Sequence, residues 1–268
     1  MDIKQDLHIH TCFSDGALRP ETIVDRWKSE GYKLIAVTDH DDIEGSRIAY
    51  NYAKGRGIVV IPGIEFDSCD ELGEEIHILG YNIDYDNKAL KKALSEVKRW
   101  RAQRNDIMLK VLNDMGYDIS IDDLIEVNGG HFIGKPTFAQ VMVNKGYFEN
   151  LSEVFAKVFT VEPEIKSIVK KTLRSDYVIR LIHEAGGIAV LAHPMQQRSK
   201  DESDEIFYKR IIRFMDRFRE YGIDAIECSH PSATEDEARG LREYAAMYKL
   251  KTTTGSDFHS DNNKRVYR

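Results

Sequence analysis

Histidine and carboxylate residues recur along this 268-residue chain at the ends of short apolar runs. The first such end carries His8 and His10, and the last carries Asp257 and His259. Residues two apart on a β-strand point to the same face, so each pair can reach one cavity together. Because seven runs end in this way, we expect one site assembled from many parts of the chain.

Imidazole and carboxylate donors without a thiolate suit zinc, manganese or iron ions. The candidate ligands are more numerous than one ion uses, so we expect two or three divalent ions (Mn, Fe or Zn) that share bridging carboxylates such as Glu65. His131 and His183 lie outside the series, and we expect structural roles for them. The candidate ligands are His8, His10, Asp15, His40, Glu65, His77, His193, Asp257 and His259.

Strands that alternate with amphipathic helices must position these ligands, a pattern typical of an α/β fold with a mostly parallel sheet. In such folds functional groups gather at the carboxyl ends of the strands, where we place the candidate ligands. The segment 87–172 is mostly helical and breaks the alternation, so we expect it to cap the site. The predicted strands are residues 4–9, 33–37, 59–62, 75–80, 188–192, 225–228 and 251–254.

Composition and charge fit an enzyme that handles small molecules. The formal net charge of −7 offers no basic field for long nucleic acid, so an anion must be captured locally. Three scattered cysteines argue against a disulfide framework and for the cytoplasm. No signal peptide, membrane span or obligate protein partner is indicated.

The motifs, taken in order, resemble those of the polymerase and histidinol phosphatase (PHP) superfamily of metal-dependent phosphoesterases. The resemblance covers essentially the whole chain and is greatest with stand-alone bacterial members similar to nucleoside 3′,5′-bisphosphate phosphatases and a related 5′-to-3′ exoribonuclease. It implies a distorted seven-stranded (β/α) barrel of the PHP type, built from residues 1–86 and 173–268, with a helical insertion at 87–172. The matching motifs are Asp-Leu-His-Ile-His-Thr from Asp6, Ser-Asp-Gly from Ser14, Thr-Asp-His-Asp from Thr38, Gly-Ile-Glu from Gly63, His77, Ala-His-Pro from Ala192, and Gly-Ser-Asp-Phe-His from Gly255.

The resemblance also implies roles for the ligands in a trinuclear centre. His8, His10, Glu65 and Asp257 would hold one ion, Glu65, His77 and His193 a second, and Asp15, His40 and His259 a third.

The implied reaction is hydrolysis of a phosphomonoester of a small nucleotide, such as a nucleoside 3′,5′-bisphosphate, by a hydroxide that bridges two ions. Asp257 and His230 are the predicted catalytic residues, and His230 would contact the phosphate or protonate the leaving oxygen. Three alternatives stay open: 5′-3′ hydrolysis of short RNA, histidinol phosphate hydrolysis, and a catalytically idle metal-binding domain.

Substrate contacts are predicted at four cations besides His230. Arg198 follows the Ala-His-Pro motif and can form a bidentate contact with phosphate. Arg101 and Arg104 fall near arginines of relatives. Lys135 and Thr137 replace an arginine and a histidine of relatives, and lysine keeps the charge but loses the fork geometry of a guanidinium group.

Overall fold

The structure is a computed structural model that describes residues 3–129, 131–199 and 201–261. Within these ranges the backbone forms nine strands in two sheets. In chain order the strands are β1 (Gln5–Ile9), β2 (Leu34–Val37), β3 (Val59–Ile61), β4 (Gly63–Cys69), β5 (Glu75–Tyr81), β6 (Leu173–Arg174), β7 (Ile188–Leu191), β8 (Ala225–Ser229) and β9 (Lys251–Thr254).

Most strand pairs are parallel, as predicted. One sheet has the parallel order β1-β2-β3, and the other has the order β6-β4-β5-β7-β8-β9, in which only β5 runs antiparallel to its neighbours. Isolated bridges from Ile9 to Phe258 and from His40 to Glu65 link the two sheets. The mixed α/β fold is therefore confirmed. The seven-stranded barrel stays a prediction, since the described residues form two sheets and include β4 and β6, which the sequence did not predict.

The helices follow the strands with recognisable start and stop residues. Pro20 occupies the first helical turn, where its missing N–H costs no hydrogen bond. Gly31, with φ +88°, and Gly186, with φ +75°, take the left-handed conformation just after two helices end. The helices are α1 (Pro20–Ser29), α2 (Glu44–Ala53), α3 (Lys88–Asp114), α4 (Ile121–Asn128), α5 (Lys135–Asn144), α6 (Leu151–Val154), α7 (Pro163–Lys166), α8 (Ser175–Glu184), α9 (Asp204–Glu220) and α10 (Glu235–Met247), with a π-helical turn at Phe155–Phe159 and a 3₁₀ turn at Pro194–Gln197.

The chain divides into two compact units, one containing residues up to Lys92 and from Leu173, the other Ala93–Thr172. In the first unit, α1 and α2 cover the β1-β2-β3 sheet through buried residues such as Trp27 and Ala49. Burial of a large apolar side chain stabilises the folded state by about 1.5–3 kcal/mol. This helix layer therefore holds the ends of β1, β2 and β3 in place.

The second unit has its own core, centred on α3, α4 and α5, which includes Met108 and Phe138. All three cysteines are unpaired. Among the described residues, no helix combines the length and apolar character needed to cross a membrane.

Candidate metal centre

The strands of the first unit bring all nine predicted ligands into one group of contacting side chains, which we call the ligand cluster. His8 lies in β1. Six further ligands come after the ends of β1, β2, β7 and β9: His10, Asp15, His40, His193, Asp257 and His259. Glu65 and His77 differ from the prediction, because they lie inside β4 and β5 and not beyond a strand's carboxyl end. Since β5 runs antiparallel to β7, its early residues reach the edge where β7 ends.

Glu65 stands at the middle of the ligand cluster and is almost completely buried. Its Oε2 lies 3.2 Å from Nε2 of His8 and 3.2 Å from Nε2 of His10. Its Oε1 lies 3.0 Å from Nδ1 of His77 and 3.1 Å from Nε2 of His193. One carboxylate thus faces two sets of imidazoles with different oxygens, which is the arrangement of a bridging ligand.

A further set of ligands gathers around Asp15. Its Oδ1 lies 3.1 Å from Nε2 of His259, 3.7 Å from Nδ1 of His10 and 3.9 Å from Nε2 of His40. On the other side of the His10 ring, Oδ1 of Asp257 lies 3.2 Å from Nε2 of His10. The donor atoms form five overlapping groups in which one ion could be shared. These groups are His10, Asp15, His40 and His259; His8, His10 and Glu65; His8, Glu227 and His230; His40, Asp67 and His77; and Glu65, His77 and His193.

Several imidazoles are oriented by a bond at the nitrogen that faces away from the cluster. Nδ1 of His259 donates to the carbonyl oxygen of Asp257 at 2.8 Å, which leaves the lone pair of Nε2 facing Asp15. Nδ1 of His8 lies 3.1 Å from Oε1 of Glu227. Metal-binding histidines usually donate their other N–H in this way, which fixes the tautomer.

Four buried atoms test whether the cluster fits metal ions. Nε2 of His8, Nε2 of His10, Nδ1 of His40 and Oε2 of Glu65 have no hydrogen bond from any described residue. Each such atom costs about 1–3 kcal/mol when left unsatisfied. The three nitrogens lie within 3.3 Å of the one carboxylate oxygen, and divalent cations bound at these atoms would satisfy all four. The donor set therefore fits divalent metal ions.

Charges in the cluster are strongly coupled. Burial would raise the pKa of Glu65, but its imidazole neighbours, His8 foremost, hold that pKa well below its usual range. Burial would lower the pKa of His10, yet the adjacent carboxylates of Asp257 and Glu65 raise it to about 9. Burial lowers the pKa of His193 to about 4, so this ring stays neutral and ready to bind an ion. Glu65 is thus anionic at neutral pH, and ions compete with protons at His10.

Buried carboxylates also hold the loops that carry the ligands. Asp39 accepts hydrogen bonds from the backbone N–H and hydroxyl of Thr11, both at 2.7 Å, and from the hydroxyl of Ser14 at 2.6 Å. These bonds fix the loop between His10 and Asp15. His193 and Asp257 have positive φ angles of 27° and 52°, a conformation that costs about 1–3 kcal/mol and is common at functional sites.

His230 lies beside the ligand cluster, and its Nδ1 accepts a hydrogen bond, whereas Nδ1 of His259 donates one. The backbone N–H of Ser232 donates to Nδ1 of His230 at 3.0 Å, so the neutral ring carries its proton on Nε2. Nε2 lies 3.4 Å from Oδ2 of Asp257. His230 can therefore present an N–H group next to a ligand carboxylate.

Arg198 contacts residues outside the ligand cluster, and the other three predicted cations belong to the second unit. The guanidinium of Arg198 pairs with Asp204 at 2.9 Å and lies 4.4 Å from the ring centroid of Phe207. In the second unit the guanidinium carbon of Arg101 lies 4.2 Å from the ring centroid of Phe132.

Arg104 and Lys135 belong to the same part of the second unit. Arg104 donates to Oδ1 of Asn105 at 3.0 Å, and Asn105 donates to the carbonyl of Ile133 at 2.8 Å. Lys135 begins α5. Thr137 is buried, and its hydroxyl accepts from the N–H of Gly134 at 3.2 Å. Thr137 thus caps a helix.

Two residues of the site were missed by the sequence analysis. Asp67 lies two residues beyond Glu65 in β4, with Oδ1 2.9 Å from Nδ1 of His40, and strand alternation from Glu65 could have indicated it. Glu227 is fully buried in β8. Burial would raise its pKa, but pairing with His8 lowers it. In the sequence, a glutamate inside a mostly apolar strand was the feature that could have indicated Glu227.

A buried cluster of imidazoles and carboxylates at the strand ends of a mixed α/β fold defines a multi-ligand metal centre. The PHP domain model matches residues 6–231, and the chain belongs to the PHP domain family. A protein from Bifidobacterium adolescentis described as a metal-dependent phosphoesterase has a similar structure, with a TM-score of 0.81 and 27% identity over 98% of this chain and 90% of that one. The protein is a metal-dependent phosphoesterase and thus a hydrolase.

Two curated relatives are similar over nearly the whole chain. A 5′-3′ exoribonuclease from Haemophilus influenzae is 30% identical over 97% of this chain and 91% of its own length. A 3′,5′-nucleoside bisphosphate phosphatase from Chromobacterium violaceum is 30% identical over 95% of this chain and 87% of its own length. The two relatives have different activities at the same identity, so identity alone does not select a substrate.

Proposed function

We propose that the protein hydrolyses a phosphomonoester of a small nucleotide, such as a nucleoside 3′,5′-bisphosphate, at a centre of two or three divalent ions. The arrangement around Glu65 carries this proposal, because its two oxygens face separate imidazole sets. Divalent ions at these ligands, Mn, Fe or Zn, would activate a water molecule and stabilise the charge that develops on the phosphoryl group.

The allocation of ligands that we propose is the one that the family resemblance implies. We assign His8, His10, Glu65 and Asp257 to one ion, Glu65, His77 and His193 to a second, and Asp15, His40 and His259 to a third. Donor atoms lie close enough to share an ion in His8, His10 and Glu65, in Glu65, His77 and His193, and in Asp15, His40 and His259. Asp257 lies 3.2 Å from His10.

Charge in the pocket favours a phosphate even though the chain is acidic. Three divalent ions carry six positive charges. The ligand carboxylates Asp15, Glu65 and Asp257, together with Asp67 and Glu227, carry five negative charges when ionised. With three ions bound, the pocket therefore carries one net positive charge, whereas the net charge of the chain is −7. Such a local field suits a small anion better than a long polyanion.

His230 is proposed as the proton donor to the leaving oxygen. The donor is the imidazolium form, which carries a proton on each ring nitrogen: the Nε2 proton would pass to the leaving oxygen, and the Nδ1 proton would stay hydrogen-bonded to Oγ of Ser232, 2.7 Å away. Asp257, 3.4 Å from that Nε2, would stabilise the ring when it is charged. A positioned general acid contributes roughly 10²–10⁴ in rate.

A cleft in the first unit offers room for the rest of the substrate. It has a volume of about 900 Å³ and is lined by Arg198, Tyr208 and Ser232, among others. Ser232 also contacts His230, so the cleft adjoins the proposed proton donor. Ligand sites are typically about 300–1,000 Å³, and we place a nucleoside-sized leaving group here.

The second unit is proposed to take part in selecting the substrate. Arg101 contacts the ring of Phe132, and Lys135 begins α5. Arg104 bonds to Asn105, whose side chain bonds to Ile133. Three cations in one region would suit the second phosphate of a bisphosphate. Thr137 is excluded from this role in our proposal, since its hydroxyl caps α5.

Hydrolysis of short RNA from the 5′ end is the second candidate, favoured by the similarity to the H. influenzae exoribonuclease. The same ions would act on a phosphodiester. In that case Arg101 and Arg104 would contact the RNA backbone.

Phosphate or nucleotide release from a panel of substrates tests the proposal. The panel contains adenosine 3′,5′-bisphosphate, a 5′-phosphorylated RNA pentamer and histidinol phosphate, each with added Mn²⁺. We expect kcat/KM for the bisphosphate to exceed the others at least tenfold. Preferred cleavage of the pentamer would support the second candidate, and no turnover of any substrate would support an idle metal-binding domain.

Asp257→Asn and Asp261→Asn make a matched pair for this assay. Asp257 contacts His10, whereas Asp261 is exposed and pairs with Arg26. The first variant should lose turnover and the second should keep it, with both chains folded by circular dichroism. Retained activity in Asp257→Asn would contradict the proposed centre.

A further inference from the structure

Glu227 is a fully buried carboxylate in the middle of β8 that the reaction does not use directly. Charge in such a place is costly unless it is paired and hydrogen-bonded. Both of its oxygens are engaged: Oε1 lies 3.1 Å from Nδ1 of His8, and Oε2 accepts the backbone N–H of His193 at 2.8 Å. It therefore contacts two different ligands of the proposed centre.

At His8 the carboxylate fixes which ring nitrogen carries the proton. An acceptor at Nδ1 requires N–H there, which leaves the lone pair of Nε2 directed at Glu65 and Asp257, 3.2 and 3.6 Å away. Without this acceptor, the ring could turn or carry its proton on Nε2, and either change would remove a ligand.

At His193 the carboxylate holds a strained backbone. The residue has φ of +27°, a conformation that other interactions must maintain. Its N–H bond to Glu227 is such an interaction, and the ring of His193 meets Oε1 of Glu65 at 3.1 Å. One buried side chain thus supports ligands on both sides of Glu65.

Gly255 keeps the pair of Glu227 and His8 in close contact. A β-carbon at position 255 would lie 2.4 Å from Oε1 of Glu227 and 2.2 Å from Cβ of His8. No side chain larger than hydrogen fits there without moving one of them.

We propose that Glu227 is a positioning residue of the metal centre, which sets the tautomer of His8 and the backbone of His193 so that both are ready to bind ions. This inference rests on the proposed metal centre. The rival role is direct coordination, because a donor atom of Glu227 also lies near donors of His8 and His230.

Metal binding separates these roles. Glu227→Gln keeps the side-chain volume but has one acceptor oxygen for two N–H groups, and Glu227→Ala has none. We expect the affinity for Mn²⁺, measured by competition with a chelating dye, to fall roughly 10- to 100-fold in both variants. The number of ions bound at saturation should equal that of the wild type. Loss of one ion at saturation would overturn the proposal in favour of coordination, and unchanged affinity would overturn it in favour of a purely structural role.

Asp224 provides a matched control. Its carboxylate accepts from Nε2 of His183 and from the backbone N–H of Ala189, both at 2.8 Å. It thus makes the same two kinds of bond away from the ligand cluster. Asp224→Ala should leave Mn²⁺ affinity unchanged within threefold.

A measurement on the wild type keeps the test independent of how the variants fold. In the Zn²⁺-loaded chain, proton–nitrogen correlation spectra should show the His8 proton on Nδ1. A proton on Nε2 would overturn the proposal. A wild type that binds Mn²⁺ but hydrolyses none of the panel substrates would refute the proposed function while leaving the role of Glu227 intact.

Discussion

Glu65→Gln is the perturbation that should damage the proposed centre most for the smallest change in volume. Glu65 contacts His8 and His10 through one oxygen, and His77 and His193 through the other. An amide keeps the shape of the side chain but presents only one neutral oxygen. Both ions assigned to Glu65 therefore lose an anionic ligand at once.

The magnitude is set by the burial of the group. Removing one partner from a buried set of charges costs about 3–5 kcal/mol. At about 1.4 kcal/mol per tenfold, this corresponds to a loss of roughly 10²- to 4,000-fold in the combined affinity for the two ions. The ion assigned to Asp15 should bind more nearly as in the wild type, because Asp15 and His259 keep their contact.

Competition with a chelating dye, together with metal analysis of the desalted protein, measures these affinities directly. Asp70→Asn is the control, since Asp70 lies just after β4, is buried and pairs with Arg217 outside the ligand cluster. We expect the control to bind metal normally. If Glu65→Gln bound every ion within threefold of the wild type, the bridging role of Glu65 would be refuted.

Three other perturbations have expected outcomes. His230→Ala should lower kcat roughly 10²- to 10⁴-fold with unchanged metal content, and a parallel loss of metal would instead make His230 a ligand. Asp39→Ala removes the acceptor for Thr11 and Ser14, so we expect a lower Tm and weaker binding of one ion, checked by calorimetry and metal analysis. The third outcome concerns pH. Burial alone would lower the pKa of His10, but the adjacent carboxylates of Asp257 and Glu65 outweigh burial and raise this pKa to about 9. Ions bind the neutral ring, so metal affinity should increase about tenfold per pH unit for that proton and level off above pH 9, as an affinity-against-pH series would show. A flat profile between pH 7 and 9 would contradict this.

The nine candidate ligands could be predicted from the sequence because each lies on or beside a strand with an apolar body. Parallel strands in one sheet end at one edge, so the residues just beyond the strands are the side chains that meet at that edge. This reasoning placed His8, His40 and His193 together although they are far apart in sequence. The structure shows that their donor atoms gather around Glu65.

The reasoning failed where a strand reversed direction or where a charged residue lay inside a strand. Pro62 and Gly63 indicated an end, but the chain continues as β4, which pairs antiparallel with β5. Because β4 was not predicted, Asp67, which lies in it, was not predicted as a site residue. Glu227 was hidden because an apolar run predicts a strand without revealing which polar residue within it has a buried partner.

The helical insertion shows a third limit. Thr137 stands where relatives have a histidine, and because threonine cannot act as an imidazole, no substrate contact was predicted at this position. Its bond to the N–H of Gly134 instead stabilises the start of α5. Helix capping and substrate contact use the same residue types, so the three-dimensional structure is needed to tell the two roles apart.

The central claim is that the ligand cluster holds the ions that perform phosphoester hydrolysis. Titration of the metal-free protein with Mn²⁺, with bound metal and phosphate release from adenosine 3′,5′-bisphosphate measured in the same samples, tests it most directly. We predict no release without metal and a rise in rate that reaches its plateau at two or three ions per chain. Full activity with less than one ion per chain, unaffected by chelation, would contradict the claim.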